Sequence, residues 1–207
     1  MIELDVQMAK DGRLIAFHDN RLERTTNGRG RVTNMPYASL AHLDAGSWFH
    51  KRFAGERILL LSQAVRLVPS HIRLNLELKR TRKRRALIRR FIRIVRQQRL
   101  TKRLLVSSFD PYLLRMLSKT RLHRALICKT KPDQSLEQAI RIGCSAWHPY
   151  YTLATKKCIA KAHAAGLSVN VWLISTPRQA RQLIRHGADG VFTNNPAKLF
   201  LLRQKAI

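Results

Sequence analysis

Residues 2–20 read IELDVQMAKDGRLIAFHDN, and the first part of this stretch has the alternation of a β-strand. Successive side chains of a strand point to opposite faces of the sheet. The isoleucine, leucine and valine therefore share one face, whereas Glu3, Asp5 and Gln7 share the other. The chain has only 12 acidic residues against 40 lysines and arginines. Two scarce carboxylates on one face of the first strand therefore suggest a specific role.

Short apolar segments alternate with helical segments along the rest of the chain. The strand-like segments are IELDV (2–6), RLNLELK (73–79), RLLVSSF (103–109), RALICK (124–129), CSAWHPY (144–150), VNVWLI (169–174) and GVFTN (190–194). Between most of them, apolar residues recur at helical spacing, and several of these helical segments end in glycine. Repeated strand and helix units predict parallel βα units and, in 207 residues, an α/β fold of the TIM (β/α)8 barrel type.

Residues from about 20 to 60 break this alternation. The Asn27-Gly28 pair is a turn signal, and the segment lacks a strong helical period. We expect a small hairpin or loop insertion there. No linker or internal repeat divides the chain, so a single domain over residues 1–207 is expected.

A second strand repeats the pattern of the first. In LNLELK, residues 74–79, the leucines share one face while Asn75, Glu77 and Lys79 share the other. Inside a barrel, three converging carboxylates would be costly to bury without a partner. A hard divalent cation such as Mg²⁺ or Ca²⁺, which prefers oxygen ligands, would remove that cost. The same pattern also fits an exposed strand face or a buried ion pair of Glu77 with Lys79.

His18 follows the apolar run LIAF and precedes Asp19. An isolated histidine is most often a structural residue. Beside a metal ion and a phosphate ester, however, it would act as a general acid that protonates the leaving alkoxide.

The net charge of +28 predicts anionic partners. Nucleic acid, anionic lipid headgroups and phosphorylated small molecules all qualify. The densest basic run, residues 79–103, forms a helical pattern whose arginines cover most of one side. This is typical of a solvated outer helix and is also compatible with an anionic membrane surface. No nucleic-acid recognition motif accompanies the run, so no specific nucleic-acid partner is expected.

Cysteine usage and hydropathy indicate the compartment. Cys128, Cys144 and Cys158 are odd in number and lack metal-ligand spacing, which predicts free thiols. There is no secretory signal pattern and no apolar run near the roughly 20 residues that a membrane span needs. A cytoplasmic protein is therefore expected.

The motifs resemble those of the glycerophosphodiester phosphodiesterase family. IELDVQMAKDGRLIAFHDNRLERTTNGRGRV is followed by LNLELK and later by VNVWLIS and GADGVFTNNP, over residues 2 to about 200. ExD, HD with the downstream RTTNG, and NxExK occur in order at separations similar to those of the family. The resemblance implies a TIM barrel of the PLC-like phosphodiesterase kind. It also implies hydrolysis of glycerophosphodiesters to glycerol 3-phosphate and an alcohol, with one divalent cation, Ca²⁺ or Mg²⁺.

The resemblance also implies roles for individual residues. The metal ligands would be Glu3, Asp5 and Glu77. His18 would be one of two catalytic histidines, and Asp19 would fix its loop rather than bind metal. In substrate binding, Lys79 would lie near the phosphate and Trp172 would form a wall of the pocket.

The start of the chain departs from the family pattern. The family begins with a strand ending in His-Arg-Gly and a helix, whereas here Met1 directly precedes IELDV. We therefore expect a barrel without its first βα unit, truncated or started too late, whose activity is impaired by the loss of one catalytic histidine. The alternative is a catalytically inactive barrel that binds anionic ligands or membrane surfaces through its basic helix.

Overall fold

Strands and helices alternate in the computed structural model of the chain, which describes residues 1–199. The strands are β1 (Ile2–Met8), β2 (Leu14–Ala16), β3 (Leu74–Leu78), β4 (Leu104–Ser108), β5 (His123–Cys128), β6 (Ala146–Pro149), β7 (Ser168–Val171) and β8 (Gly190–Val191). The α-helices are α1 (Tyr37–Leu40), α2 (Leu61–Leu67), α3 (Arg84–Gln97), α4 (Pro111–Met116), α5 (Pro132–Arg141), α6 (Lys156–Ala164) and α7 (Pro177–His186). The strand and helix alternation agrees with the α/β fold predicted from the sequence.

The chain divides into two compact units. The first comprises Met1–Val106 and Lys119–Leu122, and the second comprises Ser107–Ser118 and the chain from His123 onward. Strands β1 to β3 belong to the first unit and β5 to β8 to the second, while β4 crosses the boundary in the sequence.

The first unit is built around β1. In this unit the strand order is β2, β1 and β3, followed by the part of β4 before Ser107. β1 pairs in parallel with β3, so that Glu3 lies beside Asn75 and Asp5 lies beside Glu77. On its other side β1 pairs antiparallel with β2, through a tight turn at Gly12, whose φ is +84°. A positive φ is readily adopted only by glycine, which explains its place in this turn.

Residues 17–60 form the insertion expected from the sequence. The Asn27-Gly28 pair lies in a loop that a single antiparallel bridge between Arg21 and Arg31 closes. The insertion also contains α1 and packs with β2 around a small core. This core includes Ile15, Leu22, Val32, Leu40 and Ile58. The short helix α2 follows directly after the insertion.

Helix α3 has the two faces that its sequence predicts. Leu87, Ile88, Phe91 and Val95 are buried. The predicted charged face is exposed, and it consists of Arg85, Arg89, Arg93 and Arg96. Amphipathic packing against the first unit therefore orders the densest basic segment of the chain.

The second unit pairs β5, β6, β7 and β8 in parallel, in that order. Its core surrounds the fully buried Trp147. Local signals in the sequence start and stop its helices. Thr176 caps α7 by accepting a hydrogen bond from the Gln179 backbone, and Gly187 ends this helix with a φ of +93°. Such capping supplies partners for backbone groups that a helix end leaves unpaired.

Cys128, Cys144 and Cys158 are all free. Among the residues that the structure describes, no helix is both long and apolar enough to cross a bilayer.

His148 on β6 is a buried histidine of the second unit. Its ring Nε2 lies 3.1 Å from the Asn170 side-chain nitrogen, and its Nδ1 has no hydrogen-bond partner among the described residues. Burial lowers the pKa of His148 to about 3, because the charged ring would lose its hydration. Gly190 packs so closely that a Cβ there would lie 2.4 Å from Asn170 Oδ1. Burial therefore favours the neutral form of the ring.

We predict that His148 makes folding stability sensitive to acid. The unfolded chain protonates this ring near pH 6.5, whereas the folded chain does so only near pH 3. Stability should therefore fall as the pH falls through this range, by up to about 1.4 kcal/mol per pH unit. In His148→Gln, the free energy of unfolding from urea titrations should depend less steeply on pH. His71→Gln, which changes an exposed histidine, should keep the wild-type slope. An unchanged slope in His148→Gln would contradict the prediction.

Candidate active site

Three carboxyl groups meet on the sheet of the first unit. β1 supplies Glu3 and Asp5, and β3 supplies Glu77, which lies beside Asp5 in the parallel register. One oxygen from each side chain lies within 4.8 Å of the other two. The strand alternation seen in the sequence thus brings together the three residues proposed as metal ligands.

Lys79 lies among these carboxylates. Its Nζ is 2.6 Å from Asp5 Oδ1 and 2.7 Å from Glu77 Oε1. Burial lowers the pKa of Lys79, but Glu77 and Asp5 more than offset this effect and leave the pKa raised. The ion pair between Glu77 and Lys79 that the sequence left open is therefore present. This ion pair balances only part of the negative charge of the cluster, because one ammonium faces three carboxyl groups.

Glu3 is the member of the cluster without a hydrogen-bond partner. Its Oε1 is buried and accepts no hydrogen bond in the described part of the chain. Burial, reinforced by the nearby Asp5 and Glu77 and opposed by Lys79, raises the pKa of Glu3 to about 8. Burial also raises the pKa of Glu77. Charged carboxylates are thus disfavoured at this place unless a further cation joins them.

The donor set fits a divalent cation with a preference for oxygen. All members of the group are carboxylates from neighbouring strands, and such ligands suit Ca²⁺ and Mg²⁺. The unpartnered Glu3 oxygen offers a free coordination position. A bound cation would also favour ionisation of Glu3, whose pKa the surroundings raise.

The loop that carries His18 is tied to β1. The side chain of the buried Gln7 lies 2.7 to 3.2 Å from the backbone oxygens of residues 17 to 19. The Phe17 backbone nitrogen donates to Asp5 O at 3.0 Å. These contacts connect the His18 backbone to the strand that bears two of the carboxylates. The positive charge of a protonated His18 lies near enough to oppose the rise in the pKa of Glu77.

Asp19 and Arg24 orient the His18 ring. Arg24 donates from Nε and Nη2 to the two Asp19 oxygens, at 2.6 and 2.8 Å. Chiefly through these bonds, the pKa of Asp19 is lowered to about 2. The ionised carboxylate can only accept a hydrogen bond, so His18 Nδ1, 2.5 Å away, carries the proton. Nε2 of His18 takes no part in this bond, and the side chain is 67% exposed.

Trp172 lies in the second unit, directly after β7. Its Nε1 donates to His148 O at 2.8 Å. The Phe109 ring packs edge-on against it at 5.5 Å, and the Tyr150 ring lies at 5.0 Å. The indole is therefore fixed within an aromatic cluster, and its role in substrate binding stays a prediction.

The sequence did not predict two contacts around His18: the bonds of Gln7 to the loop backbone and the bonds of Arg24 to Asp19. Gln7 continues the polar face of the first strand, which is the one signal that would have indicated it. Arg24 belongs to the RTTNG stretch that follows HD, but its bond to Asp19 depends on the path of the intervening loop. Asp19 contacts the His18 ring and Arg24, and its predicted role in fixing the His18 loop stays a prediction.

Comparisons with known proteins agree with this arrangement. Residues 1–198 match the model of the glycerophosphoryl diester phosphodiesterase family. A glycerophosphodiester phosphodiesterase of Caldanaerobacter subterraneus is 30% identical over 99% of this chain and 86% of its own length. One from Bacillus altitudinis is 31% identical, also over 99% of this chain and 86% of its own length.

A solved structure supports the same assignment. An Oleispira antarctica phosphodiesterase, determined in complex with the product sn-glycerol-3-phosphate, superposes with a TM-score of 0.90 at 29% identity. The match covers 98% of this chain and 84% of that one, and it confirms the predicted TIM-barrel type of α/β fold. The chain, matched almost throughout by both sequence and fold, belongs to the glycerophosphoryl diester phosphodiesterase family of hydrolases.

Proposed function

We propose that the chain hydrolyses glycerophosphodiesters to glycerol 3-phosphate and an alcohol, using one divalent cation, Ca²⁺ or Mg²⁺. The observation that carries this proposal is the convergence of Glu3, Asp5 and Glu77 within 4.8 Å on one sheet face. The family is generally dependent on divalent metal ions, and a related structure contains sn-glycerol-3-phosphate as product. The metal dependence supports the cation, and the bound product supports the substrate class.

The carboxylates and Lys79 would organise the phosphate. Glu3, Asp5 and Glu77 would hold the cation, which when bound supplies the positive charge that polarises a phosphoryl oxygen. Lys79 would bring a second positive charge to the same face. Its ion pairs with Asp5 and Glu77 hold the ammonium in place before substrate arrives.

His18 would supply the proton for the leaving alcohol. Asp19 holds Nδ1 of the ring, so Nε2 is the atom that would exchange a proton with substrate. General acid catalysis requires such a group within hydrogen-bonding reach of the leaving oxygen. Gln7 and Arg24 would act as positioning residues, because they reach the substrate only through the His18 loop and Asp19.

Trp172 would bind the substrate through its indole ring. The hydrogen bond to His148 O and the packing of Phe109 and Tyr150 fix the ring plane. A rigid aromatic surface suits the apolar edge of a glycerol or alcohol group.

Binding of anionic ligands or membrane surfaces by α3, without catalysis, is the second candidate function. The exposure of Arg85, Arg89, Arg93 and Arg96 on this helix favours it. Clusters of arginine attract phosphate groups and anionic lipids. An inactive chain that still bound such ligands through α3 would fit this candidate rather than the first.

The cytoplasm is the proposed location. Free Cys128, Cys144 and Cys158 support a reducing compartment.

We predict that Glu77→Gln weakens cation binding. Loss of a residue that merely supports a metal ligand commonly weakens affinity about 10- to 100-fold, so loss of a ligand should weaken it at least as much. Calorimetric titration with Ca²⁺ and with Mg²⁺ measures the change. Glu137→Gln is the matched control, because it neutralises an exposed glutamate on α5. Equal affinity in the two variants would contradict the assignment of Glu77.

Hydrolysis of glycerophosphocholine tests the activity itself. Release of glycerol 3-phosphate should be faster with Ca²⁺ or Mg²⁺ than with chelator. His18→Ala should lower kcat by about 10² to 10⁴, as expected for loss of a general acid. The proposal fails if metal ions do not stimulate the reaction and Glu77→Gln leaves the rate unchanged. A rate far below that of the Bacillus altitudinis relative would agree with the impaired activity expected from the sequence.

We also predict that Asp19→Asn disturbs the His18 ring. An amide at this position can donate as well as accept, so it no longer requires the proton to stay on Nδ1. The ¹⁵N chemical shifts of the ring should show a smaller Nδ1-protonated population, and kcat should fall more than KM changes. Asp133→Asn, which changes an exposed carboxylate paired with Lys161, should alter neither. Unchanged ring shifts in Asp19→Asn would contradict this role.

A further inference from the structure

An exposed group of aromatic side chains lies on residues 46–53, GSWFHKRF, which we name the aromatic loop. Trp48 is 51% exposed and Phe49 is 67% exposed. Their ring centroids are 5.7 Å apart, and the Phe53 ring follows Phe49 at 5.8 Å. Globular proteins bury most of their large aromatic side chains, so a contiguous exposed group indicates a binding surface.

The aromatic loop is held in shape by Asp44. This carboxylate accepts hydrogen bonds from the backbone nitrogens of Gly46, Ser47 and Gly55, and from the Ser47 hydroxyl. A Cβ at Gly46 would lie 2.0 Å from Phe53 O, so only glycine permits this turn. The exposure of Trp48 and Phe49 therefore belongs to a specified conformation.

Two guanidinium groups lie over aromatic rings of this loop. The Arg24 guanidinium lies 5.3 Å from the Trp48 ring centroid, and the Arg52 guanidinium lies 4.6 Å from that of Phe53. Lys51, which lies between Trp48 and Phe53 in the sequence, is also exposed. Asp44 is occupied by its hydrogen bonds within the loop. Aromatic rings beside arginine and lysine are the combination that binds to the interface of a membrane with anionic headgroups.

The charge of the chain distinguishes among the partners that would cover this surface. A second copy would bring another net charge of +28, and like charges oppose such an association. An anionic bilayer offers complementary charge, and its interfacial region accommodates tryptophan and phenylalanine.

We propose that the aromatic loop docks the protein on anionic lipid bilayers by inserting Trp48 and Phe49 into the interface. Arg24 links this surface to the candidate active site, because it also holds Asp19 beside His18. Docking through the loop would therefore bring His18 close to the membrane surface. This inference goes beyond hydrolysis and does not depend on catalysis.

Co-sedimentation with vesicles of phosphatidylglycerol and phosphatidylcholine in equal parts tests the proposal. A protein of this charge will bind such vesicles at low salt by electrostatic attraction alone. At about 1 M salt the Debye length falls to about 3 Å, which leaves mainly the apolar contribution. There the wild type should still bind, and Trp48→Ser and Phe49→Ser should each reduce the partition coefficient by about tenfold.

Tyr112→Ser provides the matched control. Tyr112 is 58% exposed, with Arg115 over its ring, but it lies on α4 outside the aromatic loop. This variant should bind as the wild type does, and all variants should keep the wild-type circular dichroism and unfolding midpoint. The proposal is overturned if the Trp48 and Phe49 variants bind at high salt like the wild type, or if wild-type binding disappears there. A change in oligomeric state in these variants without a change in vesicle binding also overturns it.

Discussion

Three carboxyl groups on one face of two neighbouring parallel strands impose the main constraint on the first unit. The register that pairs Asp5 with Glu77 gives the cluster its geometry, and burial makes its charge costly. Lys79 offsets part of that charge. Among the described residues, Oε1 of Glu3 has no hydrogen-bond partner, and the pKa of this side chain is raised to about 8. The remaining imbalance is the physical reason for proposing a cation, and the proposed chemistry depends on it.

The strand β1 connects this cluster to the proposed acid. Its side chains at positions 3 and 5 enter the cluster, while Gln7, two residues further along the same face, holds the backbone of residues 17 to 19. A shift of β1 by one residue would turn all of these groups to the opposite face. The same strand register thus determines both the carboxylate geometry and the position of His18.

Many of the basic residues in this chain have roles in folding. Arg103 donates to four backbone oxygens between residues 65 and 72. Arg124 donates to the backbone oxygens of Leu114, Ile142 and Gly143. These guanidinium groups donate hydrogen bonds to carbonyl oxygens near helix ends and in the loops that follow them. The overall charge therefore combines structural arginines with exposed ones, such as those of α3 and of the aromatic loop, that remain available to anionic partners.

The sequence by itself determined the parts of the protein that depend on local periodicity. Strand alternation placed Glu3, Asp5 and Glu77 on polar faces, the βα alternation predicted the fold, and the ordered motifs indicated the family. Tertiary structure decided which distant residues meet. The bond from Arg24 to Asp19, the support of His18 by Gln7 and the exposure of Trp48 all depend on the paths of irregular loops. No periodic pattern in the sequence predicts those loop paths, because they follow from the combined packing and hydrogen bonding of residues far apart in the chain.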